Sequence, residues 1–189
     1  MTEPDGILLD RLRKLNAEKF EHIHGDLLTH LIGTFRILAD WGSPPVLYNA
    51  GLYHAVYGTF AYQNPLIGTE ARKEIAEILG EESETLVFLY GSSDRDYFYS
   101  QFGKNETVKH KNWATREIQI LTRKETEDLC ELTAANELEL ALANDSFLKK
   151  YGEELKNLFE RMHPYLSNVA FSECKNVFRS NTFRNTGLL

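Results

Sequence analysis

The chain has 189 residues, 42% of them hydrophobic and 12% aromatic, enough for one domain with a substantial core. Its net charge of -7, with Lys and Arg scattered rather than massed, excludes a phosphate-gripping nucleic-acid surface. No apolar run approaches the ~20 residues of a membrane span. The N-terminus is charged, and Cys130 and Cys174 fit neither a metal-ligand spacing nor a disulfide framework, so a cytoplasmic domain is expected.

Helical periodicity dominates from the start. Ile7, Leu8, Leu12 and Leu15 predict a first amphipathic helix, opened by Pro4-Asp5. Asp26 is placed to cap a second, which runs to about Trp41 and stops at Gly42-Ser43-Pro44-Pro45. A third runs from Pro45, a good first-turn residue, to about Gly58. Residues 59–68 read as a loop, a fourth helix runs from about Thr69 to Gly80, and a fifth covers roughly 82–90.

Residues 91–114 are polar and aromatic without a clear period, a long segment of the kind that is usually functional or mobile. Ile118 and Ile120 alternate with polar neighbours, the mark of a short strand or extended connector. Thr122 and Glu125 form a capping box that opens a long helix to about Ala143, with Cys130 a buried free thiol inside it. One or two helices follow over 146–178, and the tail from Ser180 reads as loose. The expectation is a single all-α domain over 1–189, with an irregular stretch around 91–121.

Three helices each place one hydrogen-bonding side chain near the centre of an apolar face. His30 shares a face with Leu27, Thr34, Ile37 and Trp41, and His54 lies with Leu47, Ala50 and Gly51. Asn136 lies with Leu129, Leu132, Leu140 and Ala143. Burying such a group unpaired costs roughly 1–3 kcal/mol, so each needs a partner: one another, a shared metal, or a ligand. A single histidine in this position is most often a core residue bonded to a backbone carbonyl. Three on separate helices raise the alternative of one polar site.

The order and surroundings of these residues resemble the HD superfamily, above all the hydrolase domain of the RelA/SpoT alarmone enzymes. HGDLLTHLIGTFRIL is similar to the stretch carrying that family's helix-borne histidine, at His30, and AGLYHAVYGT resembles its A-x-L-x-H-D-x-x-E-D-T segment, with His54 on the motif histidine. LCELTAANELELA resembles the later helix that supplies the last metal-binding aspartate, and Asn136 falls there. The resemblance covers about residues 22–143 and implies an HD-like helical bundle. Its acidic residues are replaced: by Ala55 after the histidine, by Gly58 and Thr59, and by Asn136. Two imidazoles and an amide give no negative charge to hold Mn²⁺ or Mg²⁺, so alarmone-type hydrolysis is expected to be absent. The chain also resembles a bacterial domain family of unknown function, through His30 to Thr34, Trp41-Gly42 with Pro44, Ala50 to Thr59, and Arg72 to Ile75.

Three readings follow. In the first, His30, His54, Tyr57, Thr59, Arg72 and Asn136 line a pocket for a small, phosphorylated or nucleotide-like metabolite, with Arg72 or the Asp94-Arg95 pair fixing a charged group. The plainer alternatives are a solvated Arg72 and a local Asp94-Arg95 ion pair. In the second, His30, His54 and Glu139 hold a divalent metal such as oxygenase iron, His24 adding a ligand; helix-surface preference instead places Glu139 in solvent. In the third, the domain is a partner-binding module, its Tyr97, Phe98, Tyr99 and Phe102 forming an exposed aromatic surface or a lid. A small-molecule partner is expected, with neither nucleic acid nor membrane, and assembly into a homo-oligomer is left open.

Overall fold

Local capping sets the helix starts. Asp5 accepts a hydrogen bond from the Ile7 N–H and opens α1 (Gly6–Lys14). Asp26 does the same for Thr29 and opens α2 (Leu27–Asp40). A two-residue antiparallel pairing, β1 (Glu21–His22) with β2 (Gly25–Asp26), brings the chain into that cap. The computed structural model describes residues 2–22 and 25–179. His24 and the tail from Ser180 therefore lie outside the described residues.

α3 (Pro45–Tyr53) starts with proline in its first turn but ends earlier than its apolar pattern predicts. Residues 54–58 continue as tight turns, with Val56 N–H donating to the Tyr53 carbonyl and Gly58 N–H to that of Ala55. Gly58 then takes a left-handed φ of 76°, which releases the chain into the 59–68 loop. A single 3₁₀ turn at Thr69–Ala71 leads into α4 (Arg72–Leu79), followed across Gly80 by α5 (Glu81–Ser92).

The irregular stretch expected over 91–121 is more ordered than its sequence suggests. Asp94 caps a short helix, α6 (Arg95–Tyr99), by accepting from the Tyr97 N–H. β3 (Lys109–Lys111) pairs antiparallel with β4 (Ile118–Ile120). Phe98 and Phe102 pack edge to face in the core, ring centroids 5.0 Å apart. The four aromatics thus form neither a single exposed surface nor a lid over the histidines.

α7 (Arg123–Ala143) opens on the capping box at Thr122 and Glu125 and runs through the middle of the fold. Its 21 residues extend about 31 Å. It packs against α2, α3 and α5, and is covered by α8 (Asp145–Met162) and α9 (Asn168–Arg179). Neighbours on nearly every side explain why polar as well as apolar residues of α7 are buried. The architecture is all-α, with the two short β-pairings as its only sheet among the described residues. No helix among the described residues is long and apolar enough to cross a membrane.

Candidate functional site

α2, α3 and α7 approach closely because small residues stand between them. A Cβ on Gly51 would stand 2.5 Å from a Leu38 methyl, so the glycine lets that side chain pack between α3 and α2 as it does. This close packing brings three of the expected residues together. His30 Nε2 lies 3.2 Å from His54 Nε2 and 3.1 Å from Asn136 Oδ1. All three side chains are buried, at 1%, 2% and 3% exposure.

Each of the three is oriented from behind. His54 Nδ1 donates to the Gly51 carbonyl at 2.7 Å, so its Nε2 presents a lone pair to the centre. This bond is the backbone satisfaction expected of a core histidine, but it uses only one ring nitrogen. Asn136 Nδ2 donates to Glu137 at 3.2 Å, which turns the amide oxygen toward His30. With two acceptors facing it, His30 Nε2 is the donor of the group. His30 Nδ1 pairs with the Glu139 carboxylate.

Glu139 departs from both expectations for it. It is buried, not solvated, and it meets His30 on the nitrogen opposite the one that faces His54. The two nitrogens of one imidazole point apart, so His30, His54 and Glu139 cannot converge on one ion. Accordingly, no three His, Cys, Asp or Glu side chains among the described residues form a metal-binding group. Gly33 makes the room for Glu139: a Cβ there would stand 2.7 Å from Glu139 Cγ.

His30, His54 and Asn136 open onto a cavity of about 290 Å³. Its other walls include Ala55, Thr59, Tyr62, Arg95 and Glu21. Thr59 was expected in the pocket and is there, its hydroxyl accepting from the Tyr62 N–H at 3.0 Å. Arg95 enters from α6, bonded through Nη1 to Glu137 at 3.2 Å and through Nη2 to the Tyr90 hydroxyl at 3.0 Å. Burial lifts the Glu137 carboxyl above its ordinary pKa, with Arg95 and His30 holding the rise back. Asp94 points away, to Lys111 at 2.8 Å, so the Asp94-Arg95 pair does not act as a unit.

Tyr57 and Arg72 do not line the cavity. Arg72 grips Glu84 with two bonds of 2.7 Å, lies 3.8 Å over the Phe88 ring, and shares Glu84 with the Tyr57 hydroxyl at 3.1 Å. Burial first, then the charge and hydrogen bond of Glu84, push the Tyr57 phenol well above its ordinary pKa. These residues tie the turn after α3 to α4 and α5. The reason is that α3 ends at Tyr53 and the chain runs on as turns from His54, which breaks the helical register expected to keep Tyr57 beside His54.

Glu137, Tyr62 and Glu21 are the site residues that sequence reading missed, while of the Asp94-Arg95 pair expected to fix a charged group only Arg95 lines the cavity.

The fold and site thus define an all-α domain with a buried His-His-Asn cluster opening to a small cavity. Residues 11–95 match the model of a domain of unknown function, DUF6817. That span contains His30 and His54, reaches Arg95, and stops short of α7 with Asn136 and Glu139. Neither curated proteins nor solved structures give a match.

Proposed function

We propose that the chain is an HD-like helical domain that binds a small polar metabolite at the His30–His54–Asn136 cavity and does not hydrolyse alarmones. The observation that carries this reading is the meeting of two imidazoles and an amide from three separate segments at 3.1–3.2 Å, on the wall of a cavity. A cavity of about 290 Å³ is at the small end of ligand pockets, which run from about 300 Å³ upward. Arg95 is the group for a carboxylate or phosphate on the ligand, since a guanidinium stays charged and offers five donors. Ala55 lines the cavity at the position where the resemblance calls for an aspartate. A phosphorylated compound therefore meets Arg95, with Glu21 as the one carboxylate side chain of the lining among the described residues.

A second reading keeps a metal, and one observation favours it. Both imidazoles have Nδ1 occupied from behind, by Glu139 and by the Gly51 carbonyl, which is how metal-bound histidines are usually held. His30 Nε2, His54 Nε2 and Asn136 Oδ1 would then be the ligands, a metal ion replacing the His30 Nε2 proton. Two neighbouring nitrogens about 2.1 Å from a tetrahedral ion stand about 3.4 Å apart, close to the 3.2 Å separation of the two Nε2 atoms. This donor set suits a borderline ion such as zinc better than Mg²⁺ or Mn²⁺. Such an ion supplies Lewis-acid polarisation of a bound oxygen.

The test is a thermal-shift screen of the full chain against small phosphorylated and carboxylated metabolites, alongside elemental analysis of the purified protein. The proposal expects at least one compound to raise the melting temperature with concentration, and His54→Ala to abolish that rise while staying folded. No stabilising compound, or one that stabilises His54→Ala equally, would count against it. Stoichiometric zinc or iron would shift the assignment to the second reading.

A further inference from the structure

Arg95 stands in the wall between two cavities. On one side is the site cavity; on the other is a space of about 10 Å³ between α5, α6 and α7, bordered also by Tyr90, Ser93, Phe98, Tyr99, Leu129 and Thr133. The Ser93 and Tyr99 hydroxyl oxygens are shielded from solvent and have no hydrogen-bond partner among the described residues. Buried hydroxyls are nearly always bonded, and leaving one bare costs about as much as a lost hydrogen bond. Here two of them border the same small space.

That space has about the least volume a single water needs, and a buried water needs two to four polar partners. Of the hydroxyls bordering it, those of Tyr90 and Thr133 are already bonded, to Arg95 and to the Leu129 carbonyl, which leaves the Ser93 and Tyr99 hydroxyls and the guanidinium as partners. Tyr90 and Glu137 engage Nη2 and Nη1 of Arg95, and five N–H donors leave others for a further acceptor. A water accepting from Arg95 and bonding both hydroxyls satisfies every group.

We propose that this space holds one resident water, bound by Ser93, Tyr99 and Arg95. We further assign it the role of fixing the Arg95 guanidinium in the wall of the site cavity. Ser93 and Tyr99 are then positioning residues that act through the water. This inference concerns Arg95 alone and stands whether or not the cavity binds a metabolite.

A crystal structure of the full chain, at a resolution that orders single waters, tests both parts. The expected map has one peak within hydrogen-bonding distance of both hydroxyls and the guanidinium. In Ser93→Ala/Tyr99→Phe the peak is expected to vanish and the guanidinium to turn away from Glu137. A wild-type space without a peak, or hydroxyls turned onto protein acceptors, overturns the water. A water that is lost while Arg95 keeps its place overturns the positioning role. If the double variant does not fold, Tyr99→Phe alone decides the second part by the same readout.

Discussion

Gly33→Ala tests whether Glu139 is seated against His30 by a missing side chain. By helix propensity alone the change should stabilise, because alanine in a helix interior is favoured over glycine by about 1 kcal/mol. The structure predicts the opposite. The new Cβ would stand 2.7 Å from Glu139 Cγ and 2.9 Å from its Oε1, and Cγ is too near the backbone to swing clear cheaply. Glu139 would leave His30, forfeiting a buried charge-assisted hydrogen bond of about 1.5–3 kcal/mol. The net expectation is a loss of about 1–2 kcal/mol, a fall in melting temperature of roughly 2–8 °C for a chain of this size. Urea and thermal unfolding measure it, and a double-mutant cycle with Glu139→Ala isolates the cause. In the Glu139→Ala background the same substitution should be neutral or stabilising. A melting temperature that rises when Gly33→Ala is made alone would refute the reasoning.

Four further outcomes are expected. Arg72→Ala should lower stability by about 1–3 kcal/mol in urea unfolding, because Glu84 stays buried without its main partner, and should leave ligand binding at the cavity unchanged; a binding defect without a stability loss would return Arg72 to the site. His110 is buried, and burial lowers its pKa below 6.5, its bond to the Leu89 carbonyl opposing only in part. Its contribution is therefore complete above pH 6.5 and lost as pH falls below it, so His110→Gln should flatten the decline of stability with acid relative to wild type; parallel pH profiles would contradict this. No manganese-dependent release of pyrophosphate from an alarmone is expected, and substantial release in a colorimetric assay would show the reading wrong. Arg95→Gln should weaken binding of a phosphorylated ligand at least tenfold by calorimetry, and equal affinity would remove Arg95 from the site.

How far the sequence carried depends on how local each determinant is. The starts of α1, α2 and α7 were legible because Asp5, Asp26 and Thr122 bond within three residues of themselves. His30, His54 and Asn136 were legible as polar residues on apolar stripes, although their meeting depends on helix packing that no local pattern records. Tyr57 was misplaced because periodicity was carried past Tyr53, where α3 ends and turns begin. Arg72 was misplaced because its bidentate partner, Glu84, sits on a different helix and is itself buried. Glu139 was read as solvated because glutamates usually are, and the space that admits it comes from Gly33, 106 positions earlier. Arg95 was named together with Asp94, but α6 is too short to show a period, so the sequence did not record that Asp94 turns to Lys111 while Arg95 lines the cavity.

The central claim is that the His30–His54–Asn136 cluster forms the floor of a binding cavity. The most direct measurement is NMR of the full chain with labelled histidine side chains, titrated with the strongest compound from the metabolite screen. The account predicts saturable shifts at both His30 and His54, with one affinity, lost in Asn136→Ala and in Arg95→Gln. Binding that leaves both imidazoles unmoved, or that survives both substitutions undiminished, would contradict it.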